Sequence, residues 1–94
     1  MKKRPSLSEF RSYLSYDPET GLFVWLKTIN QHALKGRTAG HVGPDGRRRI
    51  GLHGKSYLAS RLAWLFETGV WPSSTVDHEN RVRSDDRWEN LRPA

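Results

Sequence analysis

The chain has 94 residues, 35% of them hydrophobic, with a formal net charge of +6 and no cysteine. That length predicts one small domain with a modest core, and the absence of cysteine excludes disulfides and Cys-based zinc sites. No apolar run approaches membrane-spanning length, and the basic start Met1-Lys2-Lys3-Arg4 leads into no apolar targeting region, so a soluble, intracellular protein is expected.

The elements follow in chain order. Ser6-Leu7-Ser8-Glu9 reads as a capping box. Leu7, Phe10 and Leu14 then share one face of a helix over about residues 7–15. Asp17-Pro18-Glu19-Thr20-Gly21 is a turn, with Pro18 fixing φ and Gly21 free to take positive φ. Leu22 to Leu26 is β-prone and apolar on both faces, which predicts a strand covered on both sides. Residues 28–37 have no clear period and read as a loop, with a second strand expected near Ala39–Val42.

Gly43-Pro44-Asp45-Gly46 is a strong turn signal. Arg47 to His53 alternates after it: Ile50 and Leu52 point one way, Arg47, Arg49 and His53 the other. Gly54-Lys55 turns into Ser56-Tyr57-Leu58, completing a small antiparallel sheet with one basic surface. Leu58, Leu62, Leu65 and Phe66 recur at helical spacing, with Gly69 as the C-cap, and this helix should close the sheet's apolar face. Val76 to His78 is a short extended piece that Glu89 to Arg92 can pair with across a polar loop. The predicted class is α+β: a short helix, a three-stranded antiparallel sheet packed by one helix, then a β-hairpin. Residues 1–72 form a basic docking part and 73–94 the hairpin.

Charge is concentrated in the middle. Between residues 20 and 66 eight bases (Lys27, Lys35, Arg37, Arg47, Arg48, Arg49, Lys55, Arg61) stand against one acid, Asp45. A local basic stretch interleaved with aromatics is the electrostatic footprint of a polyanion binder, so DNA is the expected partner. Arg81, Arg83 and Arg87 flank the hairpin. They can hold phosphates there, or be neutralised by Asp85, Asp86 and Glu89 among them. Arg61 can bind phosphate or lie across Trp64, three residues on. His32, His41 and His53 fit no metal spacing. Trp25 and Trp64 sit in apolar patterns and read as core, and Trp88 is expected to pack under Asn90.

The chemistry centres on Asp77-His78 and Asn90. Hydrolysing a phosphodiester needs a nucleophilic water and neutralised charge, which one histidine beside one divalent cation can supply. By residue type alone an Asp-His pair is a weak signal. The ordered set is specific. Tyr16-Asp17-Pro18-Glu19-Thr20-Gly21-Leu22-Phe23-Val24-Trp25, Ala39-Gly40, Asp45 to Ile50, Arg61 to Pro72, Val76-Asp77-His78 and Ser84 to Arg92 together resemble phage-type HNH endonucleases related to homing endonucleases. The resemblance implies Asp77 as metal ligand, with Mg²⁺ the expected ion, His78 as general base, and Asn90 as the residue that holds the hairpin and the histidine. It implies DNA contacts from the Arg47–Arg49 strand, with Lys35, Arg37, Lys55 and Arg61 nearby. It also implies a further helix carrying a second metal ligand, His or Asn, expected shortly beyond Ala94. Ser60 stands where the family usually has His, and Asp86 where it usually has Asn. Two functions follow: a metal-dependent DNA endonuclease, in the host cytoplasm if phage-encoded, or a non-catalytic derivative that binds nucleic acid or a protein partner as a regulator or inhibitor.

Overall fold

Ser6 accepts the Glu9 backbone N–H at 3.2 Å, and this cap starts α1 (Leu7–Tyr13), which buries Phe10. The computed structural model describes residues 4–94; the basic start Met1-Lys2-Lys3 lies outside the described residues. α1 ends two residues before the apolar period predicts. Leu14 is already extended and begins β1 (Leu14–Asp17), which pairs antiparallel with β2 (Leu22–Trp25). Pairing Leu14 with Trp25 and Tyr16 with Phe23 overrides the weak helical preference of a short peptide. Pro18 to Gly21 closes this hairpin, with Gly21 at φ 77° and its N–H on the Asp17 carbonyl at 2.7 Å.

β2 is not covered on both sides as predicted. Phe23 and Trp25 are buried, Leu22 and Val24 are half-buried and Leu26 is exposed. Nor does it join the central sheet; an isolated bridge, Val24 to Thr38, ties it to the segment leading into that sheet. The central sheet is three-stranded, in the order β3 (His41–Val42), β4 (Arg48–Leu52), β5 (Lys55–Leu58). β3 is shorter than expected. His53 and Gly54, both at positive φ, make the two-residue turn between β4 and β5.

α2 (Ala59–Thr68) lays Leu62, Ala63, Leu65 and Phe66 into the core with Ile50 and Leu52, and Gly69 caps it in the left-handed conformation. Phe66 meets Phe23 edge-to-face at 5.2 Å, tying α2 to the first hairpin. β6 (Val76–His78) then pairs antiparallel with β7 (Leu91–Pro93). β7 begins later than predicted because Trp88–Asn90 is a turn of 3₁₀ helix. Among the described residues the result is an α+β arrangement of two α-helices and three small antiparallel sheets. No helix among the described residues is long and apolar enough to cross a membrane.

Candidate active site

The β6 pleat sends Asp77 outward and His78 inward. Opposite Asp77 on β7, Arg92 donates from Nε and Nη2 to Asp77 Oδ2 at 3.3 and 3.2 Å. His78 is only 4% exposed, and its Nε2 lies 2.8 Å from Oδ1 of Asp86, itself 1% exposed. A cleft of about 290 Å³ opens beside them, lined by Arg47, Asp77, His78, Arg81 and Arg83. The other ring nitrogen, Nδ1, makes no hydrogen bond among the described residues, and it is not one of the fully sequestered polar atoms. Nδ1 is therefore the ring nitrogen left without a partner among the described residues, in a side chain that lines the cleft.

The loop joining β6 to β7 is organised by Asn90. Its Oδ1 accepts the Asn80 backbone N–H at 3.0 Å, and its Nδ2 donates to Asn80 Oδ1 at 3.0 Å and to the Asp85 carbonyl at 2.8 Å. Its own carbonyl accepts the Glu79 N–H. With that side chain committed and buried, Asn90 braces the loop and does not face the cleft. Arg81 takes φ 65°, unusual for a non-glycine residue, as its N–H closes onto the His78 carbonyl. Arg87 is a strut: it donates to both Asp85 oxygens at 2.8 Å and to Glu89 at 2.9 Å. The Arg87 guanidinium, followed by the Asn80 amide, holds the Asp85 carboxyl down at about 2.

Asp86 is placed by the first hairpin. The Tyr16 hydroxyl donates to the Asp86 carbonyl at 2.5 Å, and the Trp88 N–H donates to the Pro18 carbonyl at 3.0 Å. Gly21 lies so close that a Cβ there would sit 2.3 Å from the Arg87 nitrogen and 2.4 Å from the Asp86 carbonyl carbon. Burial pushes the Asp86 carboxyl up, opposed by the His78 hydrogen bond and by the charges of His78 and Arg48. Burial, with nearby Glu67 and Asp86, also pushes the Tyr16 hydroxyl well above its usual value. Asp86 Oδ2 and Arg48 Nε are both buried without a hydrogen-bond partner.

The structure sorts the arginines. Arg47, Arg81 and Arg83 line the cleft, with Arg83 Nη1 donating to the Asp45 carbonyl at 3.2 Å. Arg48 is not part of a surface row: it lies on the Ile50 side of β4 and donates to the Gly40 carbonyl. Arg49 faces outward but is held by both Asp45 oxygens at 2.9 and 2.8 Å, which lowers the Asp45 carboxyl's proton affinity well below the usual range. Arg61 neither stacks on Trp64 nor stands free; it donates to the Ser74 carbonyl. Lys35 and Arg37 are exposed in the loop after β2, and Lys55 is exposed at the start of β5, away from the cleft. Trp88 packs edge-on against Trp64 at 5.2 Å, fastening the 3₁₀ turn to α2. His53 pairs with Glu9 at 3.2 Å, so Glu9 reaches across the fold instead of back to its own cap. Ser60 is buried in the first turn of α2.

Sequence reasoning missed the roles of Asp86, Tyr16 and Gly21. Asp86 carries a signal, since it stands where the family usually has Asn, and the structure makes it the partner of His78.

For a divalent ion, Asp77 is the one carboxylate of the cleft. No group of three or more His, Cys, Asp or Glu suited to a metal occurs among the described residues. This donor set fits Mg²⁺ in the mode it commonly uses, with one or two carboxylates, several waters and substrate phosphate oxygens, and does not fit a closed protein cage.

A two-stranded ribbon presents adjacent Asp and His beside arginines, with an asparagine locking its connecting loop. Residues 57–93 match the HNH endonuclease family. That stretch takes in the last two residues of β5, all of α2 and the whole β6–β7 hairpin, and over it the chain is similar to that family. The likeness of residues 16–56 to the phage type lies outside the matched stretch. No curated protein and no solved structure matches the chain.

Proposed function

We propose that this protein is a DNA endonuclease acting by phosphodiester hydrolysis in the cleft between Arg47, Asp77, His78, Arg81 and Arg83. The observation that carries this reading is the meeting, in one cleft, of the unbonded His78 Nδ1, a carboxylate and three guanidiniums. The guanidiniums draw in and hold a backbone phosphate. His78 Nδ1 takes a proton from water as the water oxygen bonds to phosphorus. The bond from phosphorus to the leaving sugar oxygen breaks, and that oxygen takes a proton from solvent. A divalent ion, Mg²⁺ in this reading, would be held by Asp77 and would supply charge neutralisation at the phosphate. Asn90 acts by holding the loop. The exposed bases Lys35, Arg37 and Lys55 extend the electrostatic track of the basic part, residues 1–72, toward the duplex. A phage or mobile-element origin and a cytoplasmic setting belong to the same proposal.

The test is incubation of supercoiled plasmid with Mg²⁺ or Mn²⁺. Nicking is expected for the native protein and not for His78→Ala. No nicking by the native protein, or equal nicking by His78→Ala, overturns the reading.

One observation favours a second reading: the Asp77 carboxylate is already held by Arg92. A non-catalytic DNA-binding regulator would need no metal and would use the same arginines. It predicts binding without nicking, with affinity that falls steeply with salt through counterion release. Removing Arg81 should then reduce the salt slope by about 1. Tight binding with no salt dependence would point to a protein partner instead.

A further inference from the structure

Three features set His78 apart from a histidine that is merely buried. Its Nε2 is committed to a carboxylate oxygen at 2.8 Å. That carboxylate is more deeply buried than the imidazole it serves. And the carboxylate's own backbone is fixed from another part of the chain, by the Tyr16 hydroxyl and by the close approach of Gly21. As a carboxylate, the form that the His78 hydrogen bond and the charges of His78 and Arg48 favour against its burial, Asp86 only accepts; that places the proton on Nε2, and a neutral imidazole with Nε2–H has its lone pair on Nδ1. Nδ1 has no hydrogen bond among the described residues and is not sequestered, and His78 lines the cleft.

We infer that Asp86 is the positioning residue of the site: it fixes His78 as the Nε2–H tautomer and aims the Nδ1 lone pair at the cleft. The same carboxylate steadies the positive ring once Nδ1 has taken a proton, as a buried carboxylate does for the base histidine of a Ser-His-Asp triad. An asparagine here accepts the same hydrogen bond through its Oδ1 but brings no charge, and its NH₂ group, if rotated toward the ring, favours the opposite tautomer. The aspartate at this position is therefore a gain of control over the base. Its cost is visible in Oδ2, which is buried with no hydrogen-bond partner among the described residues. The catalytic consequence of this inference rests on the proposed hydrolysis; the tautomer does not.

The experiment therefore has two arms on the full chain. In the first, long-range ¹⁵N–¹H NMR of His78 is recorded at a pH where the ring is neutral. The native protein should show Nε2–H. Asp86→Leu should relax the ring toward the mixture of free imidazole, and Asp86→Asn should lie between. In the second, nicking is compared across the same three proteins, with thermal melts. The expected order is native, then Asn, then Leu. The Asn variant should lose roughly 10–100-fold, the range typical when an orienting partner of a site histidine is removed, with its fold intact. An Nδ1–H ring in the native protein, or an unchanged tautomer in both variants, overturns the inference. So do nicking rates that simply follow the melting temperatures. If the native protein does not nick at all, the endonuclease reading fails, and the NMR arm alone still decides what Asp86 does.

Discussion

Replacing Gly21 by alanine tests how the first hairpin supports the active site. Gly21 sits at φ 77°, where an L residue pays about 1–2 kcal/mol. A Cβ there would also lie 2.3 and 2.4 Å from backbone atoms of Arg87 and Asp86, which cannot swing aside as a side-chain end can. Overpacking of this kind typically costs a further 1–3 kcal/mol. Gly69 is the internal control. It has nearly the same φ, 83°, and nothing within 4 Å of its added Cβ, so Gly69→Ala carries the backbone cost alone. Both substitutions gain the same small benefit from a stiffer unfolded chain. Gly21→Ala should therefore be about 2 kcal/mol worse than Gly69→Ala. In a domain of this size that corresponds to a melting temperature roughly 8–16 °C lower. The assay is paired thermal and urea unfolding. If the two variants lose equal stability, the hairpin does not press on the Asp86–Arg87 peptide and the account of how Asp86 is placed is wrong.

Asn90→Ala removes three side-chain hydrogen bonds and strands the Asn80 N–H and the Asp85 carbonyl, so a loss of about 2–4 kcal/mol is expected in urea; a loss below about 1 would contradict its bracing role. Asp85, held by Arg87 at about 2 against an ordinary 3.8, contributes stability that is present above the unfolded value. That contribution is lost as pH falls from about 4 through about 2. Because the Arg87 side chain is 39% exposed, the contribution is screened to about 1 kcal/mol. Arg87→Ala should flatten the acid limb of the stability profile, and an unchanged limb refutes the assignment. Mn²⁺ binding followed by paramagnetic resonance should be weak in the free protein and at least about tenfold tighter with an uncleavable duplex, a coupling of about 1.4 kcal/mol. Equal affinity in both states would mean a preformed cage, contrary to a cleft with one carboxylate.

The parts legible in the sequence were those carried by local pattern. Ser6 capped a helix, Gly69 ended one, and the alternation from Arg47 to Leu52 gave a strand with its faces the right way round. Asp77 and His78 fell on opposite faces of a short strand, as their adjacency requires. The parts that were not legible depend on contacts between distant segments. Nothing local marks Leu14 to Asp17 as a strand; its pairing with β2 decides it. The charge count could not separate Arg49, clasped by both Asp45 oxygens, from Arg47, which lines the cleft and meets Asp45 only at 4.0 Å, nor foresee that Arg48 bonds the Gly40 carbonyl. Trp88 pointed to Trp64 because α2 passes beneath the 3₁₀ turn, a fact of packing alone.

These long-range contacts explain why the hairpin of residues 76–93 needs a domain around it. β6 and β7 share only three residue pairs, and an isolated two-stranded ribbon of that length is marginal in water. Its histidine must nonetheless be held to within a fraction of an ångström of a useful position. The fold meets that need at residues 86–88. Tyr16 bonds the carbonyl of Asp86, Gly21 lets the backbone approach, Pro18 accepts the N–H of Trp88, and Trp64 packs on the Trp88 ring. All four supports come from outside the hairpin, and Tyr16, Pro18 and Gly21 fall within a single run of the chain. The turn Asp17 to Gly21, none of whose residues lines the cleft, is thus coupled to His78 through one peptide and one hydrogen bond. Substitutions in that turn should alter nicking in proportion to how far they displace Asp86, whereas substitutions of the exposed Lys35 and Arg37 should alter only DNA affinity.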